Sequence, residues 1–146
     1  RKEVLMMFIF KNPIKQNRKK QDAIIRALAI AENRSWEEVY KDICRVAFEI
    51  CNNPQFFEVW KYYLMGKYPG KYRTYPKARG KARMSINHFA ADHPQGTYIL
   101  FLINEYVTCL IDGNQYDVED MTNKTVLASW EITPVKGFGK NQQGGY

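Results

Sequence analysis

The chain has 146 residues, 45% of them hydrophobic, and carries a formal charge of +7. That size suits one domain spanning residues 1–146 that buries a core without metal or disulfide help. The longest apolar run, the seven residues from Val4 to Phe10, falls well short of the roughly 18 a membrane helix needs. Lys11, Asn12 and Pro13 follow it where a signal peptide would place small residues, so the expectation is a cytoplasmic protein with no membrane partner.

Val4 to Phe10 reads as a buried strand or an apolar first helical turn. The loop after it holds Lys11, Lys15, Arg18, Lys19 and Lys20 without an acid. Asp22 is placed to cap a helix whose apolar stripe is Ile24, Ile25, Leu28 and Ala29. "SWEE" supplies a capping box, Ser35 with Glu38, for a second helix over Trp36 to Cys51. Asn53 and Pro54 mark the start of a third, with Phe57, Trp60, Tyr63 and Leu64 on its apolar side.

"GKYPGKYRTYPKARGKAR", Gly66 to Arg83, interleaves Lys67, Lys71, Arg73, Lys77, Arg79, Lys81 and Arg83 with Tyr68, Tyr72 and Tyr75. Its glycines and prolines predict a long loop or a loosely attached hairpin, a kind of segment that is usually functional. The two basic runs together exceed the net charge, so the rest of the chain is net acidic and the basicity is patched. Ser85 caps a short helix over Ile86 to Asp92, which Pro94 ends.

Beyond it the pattern is β: Gly96 to Ile103, Glu105 to Asp112, a turn at Gly113 and Asn114, then "QYDVED" and Thr125 to Ile132. The expected architecture is α+β. A helical part over about 1–93, with the basic loop at 66–84, packs on an antiparallel sheet at about 96–132, ahead of a polar tail at 133–146.

Several stretches taken in order resemble a family. Asn12 and Pro13, "QDAIIRALAIA", "SWEEVYKDI", "HPQGTYIL", "VTCLIDGNQYD" and a late "SWEI" are similar to the small papain-like cysteine hydrolases (NlpC/P60-type) common in bacteriophages and bacteria. The resemblance runs from about Asn12 to Ile132 and implies a papain-like fold. It sets Ala23 at the position of the nucleophilic cysteine, Gln21 at the glycine of the preceding turn, and Tyr106 at the base histidine. Asp117, and in second place Asp120, match the acidic orienting position.

A methyl group cannot attack a carbonyl, and a phenol of pKa about 10 is a poor base near neutrality. The resemblance therefore implies a non-catalytic descendant, encoded by a phage or mobile element, that acts by binding. One form would be an inhibitor of a host defence complex or nucleic-acid enzyme. An active or deliberately inactivated hydrolase, and a structural component of a viral assembly, stay open beside it.

Other chemistry has weaker signals. Cys44 and Cys51 lie seven apart on one expected helix, about 10 Å by helical rise, too far for a disulfide. Cys109 shares a strand face with Val107 and Ile111, as a core thiol would. His88 and His93 make no zinc pattern with the cysteines, and neither a metal nor another cofactor is expected. The positive signal is the basic stretch. Lysine and arginine neutralise phosphate and tyrosine can stack on bases, so the expected partner is nucleic acid or an acidic, nucleic-acid-binding host protein.

Overall fold

The computed structural model describes residues 6–13 and 22–133. Lys15, Arg18, Lys19, Lys20 and Gln21 lie outside the described residues. The architecture is α+β, with elements in the order β1 (Phe8–Phe10), α1 (Ala23–Glu32), α2 (Trp36–Glu49), α3 (Phe57–Lys67), β2 (Tyr72–Thr74) and α4 (Ile86–Asp92), then β3 (Thr97–Leu102), β4 (Val107–Ile111), β5 (Asn114–Asp117) and β6 (Val126–Glu131). No helix among the described residues is long and apolar enough to cross a membrane.

The strands form one six-stranded sheet in the order β1-β5-β4-β3-β6-β2. The antiparallel core expected over 96–132 is present as β3 to β6, but both edges come from elsewhere. β1 adds in parallel beside β5, pairing Phe8 with Gln115 and Phe10 with Asp117, so the sheet is mixed. β2, from the stretch expected to be a long loop or a loosely attached hairpin, pairs antiparallel with β6 and sets Tyr72 against Trp130. Strand formation there follows from packing: Tyr72 lies on Trp130 at 4.9 Å between ring centroids, burying apolar surface that a free loop would leave wet.

Both faces of the sheet are covered. Ile99, Phe101, Val107, Cys109, Ala128 and Trp130 face the helices α1, α2 and α3. Leu100, Leu102, Leu110 and Val126 alternate to the other face, where Ile86, Phe89 and Ala90 of α4 close a second core. The helices thus lie on two sides of the sheet rather than in one N-terminal layer.

α1 departs from the expected amphipathic stripe, because all of Ala23 to Ile30, Arg26 included, is buried. It is a central helix, enclosed by the sheet below and α2 beside it, and its alanines permit that close approach. The Ser35 and Glu38 capping box forms with both its bonds. Asp22 does not cap α1; its carboxylate is taken by Arg26 and by the Trp36 indole N–H at 3.1 Å. α3 begins at Phe57, later than Asn53 and Pro54 suggested, because Asn53 Oδ1 accepts the Gln55 N–H in a local turn instead.

The β4–β5 turn has Asp112 and Gly113 at its centre, one residue earlier than expected, both at positive φ. Asp112 Oδ1 also accepts the Gly96 N–H at 2.9 Å, which fastens the turn to the start of β3.

Candidate functional site

Ala23, at the first position of α1, is 3% exposed and packs in the core shared by the three N-terminal helices. Around that helix start lies a buried ionic string. The Arg26 guanidinium bonds Asp22 and has its Nε 3.5 Å from Asp117 Oδ1. Asp117 Oδ2 accepts the Thr108 hydroxyl at 2.7 Å, its Oδ1 accepts the Val118 N–H, and Gln115 donates to Thr108 at 2.9 Å. Burial lifts the Asp117 carboxyl above its ordinary value, while Thr108, Val118 and Arg26 pull it back. The string ties the start of α1 to β4 and β5 through Arg26, Asp117 and Thr108.

Tyr106 stands apart from Ala23. Its ring packs with the second core, on the α4 side of the sheet, under the Lys124 ammonium at 4.5 Å. Asp117 is therefore drawn to α1 through Arg26, whereas Tyr106 belongs to another surface. Asp120 accepts the Thr122 N–H in an exposed turn.

The three cysteines lie in different settings. Cys109 is fully buried, and burial, followed by the Asp117 charge, pushes its thiol up so that it stays protonated. Cys51 lies past the end of α2 and is exposed, and Cys44 is half-buried; both were expected inside the helix among core residues. No three His, Cys, Asp or Glu side chains converge as metal ligands among the described residues.

Tyr106 lines an open groove of about 800 Å³ in the described surface. Phe56, Phe57 and Trp60 from the start of α3 line it together with Tyr72 and Leu127, and Phe57 packs against Tyr72 at 6.4 Å between ring centroids. Phe101, Val107 and Ala128 of the sheet make the floor, with Glu58 and Glu105 at the rim. Two features of the chain produce it. Trp60 is tied to the Pro54 carbonyl at 2.8 Å, which fixes the chain leading into α3 beside the groove. The tight turn between β3 and β4 puts Asn104 and Glu105 at positive φ, projecting the Glu105 and Tyr106 side chains at the groove's end. The sequence pass missed this site because its walls come from four separated segments, none with a motif of its own.

The basic stretch divides in two. Arg73, Lys77, Arg79 and Lys81 are exposed, and Lys71 and Arg83 are half-buried, with Arg83 donating to the Tyr75 carbonyl. Lys11 is exposed at the end of β1, at the opposite edge of the sheet. Lys67 is a correction: it pairs with Glu32 at 3.1 Å inside a cluster with Tyr63 and Tyr68 and is spent on the fold. The tyrosines too are drawn inward. Tyr75 bonds Ser129 and packs with Phe89, and Tyr72 lines the groove; both rings are half-buried. Lys61 and Lys124, standing 5.5 Å and 4.5 Å from the Tyr72 and Tyr106 ring centroids, are cations the sequence pass had not singled out.

Comparison with family models, curated proteins and solved structures gave no match for this chain.

Proposed function

We propose that this chain is a non-catalytic binding domain on a papain-like frame, and that it binds nucleic acid through the exposed basic edge of its sheet. The observation that carries this reading is the charge distribution. From Val59 to Ala91 the chain has no acidic residue, and within that span Arg73, Lys77, Arg79 and Lys81 all face solvent beside the edge strand β2. Such a cationic edge suits a phosphate backbone, releasing counterions as it docks.

The papain-like part rests on the order of sequence motifs. The buried start of α1 at Ala23, against a sheet whose β5 ends in Asp117, is compatible with it. With a methyl at the nucleophile position and an Arg26–Asp117 pair beside it, the frame holds no attacking group there.

The test is binding of fluorescent oligonucleotides as salt is raised. Affinity should fall linearly on a log–log plot, by a slope of about −0.7 to −0.9 for each phosphate engaged. Charge reversal at Arg73, Lys77, Arg79 and Lys81 should flatten that slope. Absence of oligonucleotide binding, with a protein partner retained from host extract after nuclease, would overturn this in favour of an acidic protein surface.

A further inference from the structure

We infer that the aromatic groove beside α3 holds one unpaired base of a single-stranded nucleic acid whose phosphates run along the cationic edge. The inference rests on the proposed function and deepens it. Its first ground is adjacency: Tyr72 belongs both to the groove wall and to the edge strand, next to exposed Arg73, so a strand on the basic edge passes the groove mouth.

The second ground is that two rings of the groove lining each have a lysine ammonium nearby, outside the lining itself. Lys61 stands against Tyr72 and Lys124 against Tyr106, and both tyrosines line the hollow. A ligand with a flat, apolar ring and an anionic backbone suits aromatic rings that have ammonium groups nearby. The third is room and exposure. At about 800 Å³ the groove is within the range for small-molecule sites, and Phe56 and Phe57 are 51% and 36% exposed, so ring surface is available for stacking. Glu58 and Glu105 at the rim repel phosphate, which keeps the backbone on the lysine and arginine side, and can accept from the amino edge of an inserted base.

The probe is a short single-stranded oligonucleotide with 2-aminopurine at one position, compared with its duplex and with an abasic version. Binding should quench 2-aminopurine and favour the single strand. Phe57→Ala, at an exposed position, should weaken single-strand affinity about tenfold while leaving the salt slope unchanged, the size of one stacked base. Phe56→Ala is a second exposed variant, and circular dichroism of each variant confirms folding. Equal affinity for single strand, duplex and abasic strand, with both variants neutral and the salt slope intact, overturns the base-binding groove and leaves the basic edge standing. Absence of salt-dependent binding to any of them overturns both readings.

Discussion

Arg26 Nε and Asp117 Oδ1 meet 3.5 Å apart with their side chains 5% and 4% exposed, joining the central helix to the last residue of β5. A pair so sealed is costly to break singly, because the surviving charge stays buried. Arg26→Met should lower unfolding free energy by about 3–5 kcal/mol. Adding Asp117→Asn should cost less than the two single changes together. A urea double-mutant cycle measures this, and strict additivity would show the two groups to be uncoupled.

The same carboxylate sets a pH dependence. Burial raises the folded pKa of Asp117 above its ordinary 3.8, so between the unfolded and folded values the native state holds the proton more tightly. Its contribution to stability is therefore largest below that window and falls as pH rises through it. The stability of the wild type relative to Asp117→Asn should increase on acidification from pH 7 toward pH 3. A difference that stays flat would remove burial as the dominant influence on this group.

Glu32 has a 3% exposed side chain and accepts from Tyr68 at 2.6 Å, Tyr63 at 3.0 Å, Lys67 at 3.1 Å and Arg34 at 3.2 Å. Burial, followed by the Glu32 charge, raises both phenols, so they remain donors. Glu32→Leu, which removes the acceptor shared by Lys67, Arg34 and both hydroxyls, should cost about 3–5 kcal/mol. Tyr68→Phe removes one bond to a charged acceptor and should cost about 1–3 kcal/mol. Thermal unfolding ranks the two, and the reverse order would argue against a central role for the carboxylate.

Glu105 sits at φ 64 in the β3–β4 turn, a left-handed conformation that favours glycine. Glu105→Gly should stabilise the fold by about 1 kcal/mol, and Glu105→Val should destabilise it, since a β-branched side chain strains that region further. Differential scanning calorimetry reads both signs.

The three thiols should react in order of access. Cys51 is exposed, Cys44 half-buried and Cys109 fully buried with its thiol held protonated. A disulfide-exchange reagent should therefore titrate Cys51 first, then Cys44, and reach Cys109 only as the protein unfolds. Fast, selective labelling of Cys109 in the native state would revive it as a nucleophile.

Local chemistry alone determined several elements. "SWEE" encloses its own capping bonds, and Asp112–Gly113 supplies the two positive-φ residues of a hairpin turn. The alternation along β3, β4 and β6 separates the two cores, so the α+β class was legible from residues a few positions apart.

Where a side chain had a choice of partner, only the tertiary structure decided. Asp22 was equipped to cap α1 but is claimed by Arg26 and Trp36. Lys67 looked like part of a binding surface until Glu32, 35 residues away, took it. Tyr72 looked like loop until Trp130 drew it into the sheet. Except for Arg26, one turn from Asp22, the deciding partners are distant in sequence, and they win because burial makes an unpaired charge, or an exposed ring, more costly than the local alternative. The aromatic groove arises in the same way, from segments that meet only when the chain has folded.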